Sequence, residues 1–261
     1  MSSFQVPVDL YMTPSLVQVL STESLDAAQE RMISARISSL PVVDEKGRPV
    51  GVISRTDLLR VGRKEAGSLP RSATLTLPDR AVSEAMTDGI RTVDRKDTLE
   101  RACQIMVKER LHRVYVTEGE ALVGVVSPRD VLVAIREKKI NRPVRDIMSS
   151  PVFTIRADEP ISLAVERLEK ARVTGLVVVE GNDPWPVGLF TQREALEAAD
   201  VARHTSVEEV MSSAFLALEP DTRLYRAAAQ AAALGARRVV VSDGHGIQGI
   251  VTGLDFCRLA S

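Results

Sequence analysis

One nine-residue phrase occurs four times in this chain. Gly51–Leu59 reads GVISRTDLL, and its counterparts are GVVSPRDVL from Gly124, GLFTQREAL from Gly188 and GIVTGLDFC from Gly249. Each copy has a glycine, two apolar residues, a Ser or Thr, two variable residues and an acid. The acid is aspartate except in the third copy, where it is Glu194. Upstream of each copy lies a methionine-centred lead: YMTPSLVQV, AMTDGIRTV, IMSSPVFTI and VMSSAFLAL, around Met12, Met86, Met148 and Met211. Successive methionines are 74, 62 and 63 residues apart. A repeat of this kind outweighs local signals, because copies of one supersecondary unit must share a core with their neighbours.

The order inside each repeat is constant. A short apolar strand such as LVQVL follows the methionine. A helix comes next: SLDAAQERMISAR, TLERACQIMVKER, PISLAVERLEK and RLYRAAAQAAAL all space their apolar residues helically. β-Branched strands follow (SLPVVD, RVYVT, GLVVVE, RVVVSD), then a turn, a second strand ending in the phrase, and a closing helix. The predicted fold is α/β, four β-α-β-β-α units at about 7–62, 79–137, 143–199 and 206–261. The longer first spacing is absorbed by a Gly/Pro/Ser-containing loop at 63–78.

A chain of 261 residues can bury a substantial core, but one such unit barely can, so neighbouring units should pair. Net charge is −1, which gives no global footprint for nucleic acid. Cys103 and Cys257 lack metal-ligand spacing and read as buried, reduced thiols. The N-terminus has no basic start followed by an apolar run, and no stretch is long enough to span a membrane. These features predict a cytoplasmic protein. No nucleophile elbow, Walker loop, metal triad or His paired with an orienting acid occurs, which argues against an enzyme.

The Ser or Thr of the phrase lies where a strand passes into a helix. With an acid three residues on, it forms a capping box that satisfies free N–H groups, and Pro128 suits the first helical position. Capping alone accounts for all four copies. The same geometry serves a ligand, since a helix N-terminus attracts anions and a carboxylate one turn along can accept from the vicinal hydroxyls of a ribose.

The leads, the paired strands as in ISSLPVVDEKGRPVGVISRTDLL and the Ser/Thr-x-x-Asp phrase, together and in order, resemble the cystathionine β-synthase (CBS) domain family. Four tandem copies cover residues 7–261. The resemblance implies two Bateman modules, 1–137 and 138–261, which in that family form a flat disc. It also implies composite clefts for adenosine ligands, in which one repeat supplies a base slot and its partner the Ser/Thr-x-x-Asp clamp. Carried onto this sequence, Val17, Ile37, Ser38 and Ser39 meet Ser127 and Asp130. Arg91, Leu111, His112 and Arg113 meet Ser54 and Asp57. Phe153, Val173, Thr174 and Gly175 meet Thr252 and Asp255. Leu216, Ala236, Arg237 and Arg238 meet Thr191 and Glu194. His112, Arg113, Arg237 and Arg238 stand where family members reach phosphates, and Arg suits that role. Glu194 carries its carboxylate about 1 Å further than aspartate, so this copy is expected to be a structural or weakened site.

The function these readings imply is a non-catalytic regulator that binds AMP, ADP or ATP, needs no obligatory cofactor or metal, and biases a separate protein partner. One alternative is a ribosome-associated hibernation factor, since stand-alone CBS-repeat proteins include such factors. Its rRNA contacts would come from the basic runs REKKINRPVR (Arg136–Arg145) and ARR (Ala236–Arg238). Another is a ligand-free structural subunit of an enzyme or transporter complex. A homodimer is compatible with each, and membrane insertion with none.

Overall fold

The computed structural model describes residues 4–261 except 15, 36, 66–73, 182, 184 and 199–200. Its helices are α1 (Leu25–Ser34), α2 (Arg55–Val61), α3 (Leu99–Glu109), α4 (Pro128–Glu137), α5 (Ile161–Lys170), α6 (Gln192–Glu197), α7 (Leu224–Leu234) and α8 (Gly253–Ala260). These are the two helices expected in each β-α-β-β-α unit. The chain divides into two compact units. The first holds Thr98–His112 and Ser127–Ser261 with the N-terminal residues up to Pro7; the second holds Val8–Asp97 and Arg113–Val126. The second repeat is thereby divided, its helices in the first unit and its strands in the second.

In the second unit, the first and second repeats exchange their leads. One sheet runs Val19–Leu20, Ser39–Val43, Pro49–Ser54, Thr87–Asp88, and the other Thr13–Pro14, Ala121–Val126, Val114–Glu118, Thr92–Asp94. Thr13, from the first lead, lies opposite Val125 of the second repeat, while Asp88, from the second lead, lies opposite Gly51 of the first. Ser39–Val43 is buried along its whole length. That explains its apolar run: a strand covered on both faces has no reason to alternate.

The first unit repeats this exchange with the third and fourth repeats. Ser149 and Ile250 trade backbone hydrogen bonds at 2.8 and 3.0 Å, and Leu189 and Ser212 trade two at 2.9 Å. Val177, Leu189 and Val240 close a core shared by the two repeats. The helices of the second repeat pack in the same unit, α4 on α7 and α8, and α3 on α8. The sequence of α7 permits close approach. Its buried face is Leu224, Ala227, Ala228 and Ala231, at i, i+3, i+4 and i+7, so small side chains face the partner helix. The helix ends at Gly235, whose φ of +63° is the left-handed cap that glycine adopts without strain.

Three local expectations change. The strand read from LVQVL is paired only over Val19–Leu20. The loop at 63–78 carries an antiparallel ribbon of Arg63–Glu65 with Thr74–Thr76, and its residues 66–73 lie outside the described ones. Each lead begins with a short 3-10 turn that periodicity does not reveal: Val8–Leu10, Val82–Glu84, Val144–Asp146 and Val207–Glu209. The first valine of each turn is fully buried and stands four residues before the lead methionine.

Candidate functional site

All four Ser/Thr-x-x-acid pairs form the same cap. One oxygen of Asp57 accepts from the Ser54 backbone N–H at 2.8 Å and from its hydroxyl at 2.6 Å. Asp130 does so with Ser127 at 2.7 and 2.8 Å, and Asp255 with Thr252 at 2.7 Å for both. Glu194 accepts from the Thr191 N–H at 3.1 Å and also from its hydroxyl. The longer side chain folds back onto the same two donors, so length alone does not remove Glu194 from the pattern.

The second carboxylate oxygen meets an arginine in three copies. On Asp57 it has Arg60 at 3.5 Å, and on Asp255 it accepts from the largely exposed Arg258 at 2.7 Å. On Glu194 it is gripped by two nitrogens of Arg193, Nε at 3.0 Å and Nη2 at 2.6 Å. Glu194 is buried. Burial by itself would raise its pKa, but the hydrogen bonds from Thr191 and Arg193 outweigh that and hold the carboxyl below its ordinary range. Both of its oxygens are therefore committed within the repeat, as are those of the equally buried Asp255.

Where the middle strands begin, each even repeat sends an arginine to its odd partner. Arg113 donates to the Ser38 hydroxyl at 2.7 Å and also to that of Ser39, all three residues belonging to the second unit. Arg238 donates to the Thr174 hydroxyl at 2.8 Å and to its carbonyl at 3.0 Å, within the first unit. The approach is close: a Cβ built on Gly175 would lie 3.0 Å from Arg238 Nε and 3.2 Å from Thr191 Cγ2. Arg238 is also the cross-strand partner of Thr252, and its guanidinium lies close enough to Glu194 to feel that carboxylate, although burial dominates and pulls its pKa down. Tyr115 is buried near Arg113 and Ser39, and burial pushes its phenol pKa up.

The base-slot positions differ between odd and even repeats. In the odd repeats they include apolar side chains that remain exposed: Val17 at 37%, Ile37 at 39% and Phe153 at 48%. Val173 is half-buried against the core of its own repeat. In the fourth repeat Leu216 is drawn into the core, and in the second the position is the exposed Arg91. Ser127, Asp130, Leu111 and His112 lie in the first unit, while Val17, Ile37, Ser38, Ser39, Ser54, Asp57, Arg91 and Arg113 lie in the second. Arg237 is exposed beside Arg238.

Among the described residues, no group of three or more His, Cys, Asp or Glu is arranged to hold a metal ion. No described helix is long and apolar enough to cross a membrane. Cys103 of α3 and Cys257 of α8 are free, fully buried and hydrogen-bonded to each other; that bond and burial push the Cys257 thiol far up, away from the nucleophilic thiolate.

Paired repeats, exchanged leads and capped acids define a class, and family comparison assigns it. The family model for the CBS domain matches residues 8–64, 82–137, 144–200 and 207–261. The chain belongs to the CBS domain family, in four tandem copies. It is 29% identical over 191 residues to an uncharacterized 33.4 kDa protein in a ribosomal RNA operon of Thermofilum pendens, covering 68% of this chain and 59% of that one. It is 32% identical over 129 residues to the 5'-AMP-activated protein kinase subunit gamma-3 of Sus scrofa, covering 46% of this chain and 23% of that one. The chain thus spans 59% and 23% of the length of these two relatives. Among solved structures, protein MJ1225 of Methanocaldococcus jannaschii shares the fold, with a TM-score of 0.76, 17% identity, and coverage of 98% of this chain and 100% of that one.

Proposed function

We propose that this chain is a non-catalytic regulatory protein whose odd-repeat clefts bind adenosine nucleotides and bias a separate partner. The observation that carries the reading is the asymmetry of the clefts. Among the described residues, only the odd repeats combine exposed apolar slot residues, strand-start hydroxyl or backbone acceptors and an arginine reaching in from the paired repeat. For the third repeat's cleft, which lies within one unit, the clamp is Thr252–Asp255. An apolar slot takes the base, a guanidinium the phosphate and a carboxylate the ribose diol. The relative named as a kinase gamma subunit points the same way. The ligand regulates the partner to the extent that it binds one of two states more tightly. AMP, ADP and ATP are the candidate ligands, and calorimetric titration with each, beside S-adenosylmethionine and adenosine, tests the reading. Saturable binding of at least one nucleotide supports it, and heats of dilution alone for all five contradict it.

A second reading is ribosome association, favoured by the relative in a ribosomal RNA operon. Its electrostatic support is thinner than the sequence implied. Of the run Arg136–Arg145, Arg136, Arg142 and Arg145 pair with Glu137, Asp146 and Asp221. Co-sedimentation with ribosomal particles that weakens steeply with salt would select it.

A further inference from the structure

The strands that follow Val17 and Phe153, Val19–Leu20 and Thr154–Arg156, lie at the edges of their sheets. An edge strand leaves the backbone groups of one side unpaired. Here an ion pair, from the next helix and the turn before it, fills that side. In the third repeat Arg167 of α5 donates to the Thr154 carbonyl at 3.1 Å, and Glu159 accepts from the Arg156 N–H at 2.8 Å. Two hydrogen bonds, at 3.0 and 3.1 Å, join the two side chains. In the first repeat Arg31 of α1 donates to the Gln18 carbonyl at 2.7 Å, and Glu23 accepts from the Leu20 N–H at 2.7 Å. That pair is joined at 2.5 and 2.7 Å. Each set lies within one unit.

The ion pair accompanies the apolar slot. The positions equivalent to Arg31 and Arg167, six residues into α3 and α7, hold Ile105 and Gln230. The second repeat keeps only the acid, Asp97 accepting from the Asp94 N–H at 2.9 Å, and the fourth has Thr222 in its place. In these repeats the slot residue is the charged Arg91 or Leu216, drawn into the core. Phe153, by contrast, sits in backbone held from both sides. Its own carbonyl accepts from the Val177 N–H at 3.0 Å, and the next carbonyl outward accepts from Arg167. In the first repeat the strand pairs over two residues only, so the outer side carries more of the hold.

We infer that the pairs Arg31–Glu23 and Arg167–Glu159 are positioning residues for the base slot, fixing the strand so that Val17 and Phe153 stand at the surface for a flat heterocycle. The inference rests on the adenosine-nucleotide reading and adds what prepares the slot. A slot fixed before binding spares the ligand the entropy of ordering it.

The test has two readouts on the full chain. With Trp185→Phe and Phe153→Trp, a single indole reports the slot. Arg167→Ala should lower its fluorescence anisotropy, Arg167→Lys should restore part of the loss, and Gln230→Ala should leave it unchanged. In the otherwise native chain, Arg31→Ala with Arg167→Ala should weaken AMP and adenosine by the same factor, about three- to tenfold, because the base is common to both. Gln230→Ala should weaken neither. Unchanged anisotropy, or unchanged affinity, would make the pairs surface staples and overturn the inference. So would a loss confined to AMP, which would tie them to the phosphate. If the native chain binds neither AMP nor adenosine, the nucleotide reading falls, and the anisotropy still decides whether the pair positions the strand.

Discussion

Met148 lies over Gly249: a Cβ built on that glycine would stand 2.5 Å from the methionine sulfur. Met211 lies likewise over Gly188 at 2.5 Å, Met12 over Gly124 at 2.6 Å and Met86 over Gly51 at 2.8 Å. In each case the methionine of one lead covers the glycine that opens the phrase of the paired repeat. The two signatures seen in the sequence are therefore halves of one contact. The glycine is small because a sulfur takes the place of its side chain, and the contact is made by the lead that crosses over.

Alanine at these glycines should destabilise the chain, by an amount set by what can yield. At Gly51 the added methyl meets the Thr87 carbonyl oxygen at 2.6 Å, and a sheet backbone does not move cheaply. Gly51→Ala should cost about 1–3 kcal/mol in denaturant unfolding. Gly249→Ala meets the Met148 side chain and should cost less, with part of the loss recovered by Met148→Ala. Equal and negligible costs at both positions would contradict the packing.

Glu194 should give the chain a pH-dependent share of its stability. Its folded pKa lies below the ordinary value of 4.5, so folding favours the charged form. The contribution is complete above that value and is lost as pH falls through the lower folded value. Unfolding free energies measured across this acid range should fall more steeply for the native chain than for Glu194→Gln, and Arg193→Ala should reduce the difference. Parallel profiles for native chain and Glu194→Gln would show that the ion cluster does not hold the carboxyl.

The cysteines should be silent in the folded chain. Cys103 and Cys257 are fully buried, and the raised Cys257 pKa keeps that thiol protonated at neutral pH. A thiol-specific reagent should label neither until denaturant is added, and then both. Rapid labelling under native conditions would mean that the α3–α8 packing opens.

The repeats, their elements and the phrase were legible in the sequence because each depends on local chemistry. Apolar residues recur at helical spacing, and Ser or Thr stands three residues before an acid at every closing helix. The exchanged leads were not legible. Thr13–Pro14 and Thr87–Asp88 are two-residue strands whose partners are far along the chain, and no local period encodes such pairing. At the site, the acid clamps could be named but not graded. Glu194 differs from the other acids in length, yet it keeps their cap and takes an arginine on its second oxygen as Asp255 does. The arginines were found by position, yet the direction of their side chains depends on hydroxyls in another repeat. Leu216 could not be told from a ligand-facing residue, because a core position and an apolar slot have the same composition.

The central claim is that the chain binds adenosine nucleotide and that Asp130 and Asp255 are the clamp carboxylates. Equilibrium binding of radiolabelled AMP to the native chain, Asp130→Ala, Asp255→Ala, the double variant and Glu194→Ala tests it most directly. The account predicts that each single aspartate change removes one class of sites, that the double variant binds nothing, and that Glu194→Ala binds like the native chain. Undiminished binding by the double variant, or its abolition by Glu194→Ala alone, would contradict it.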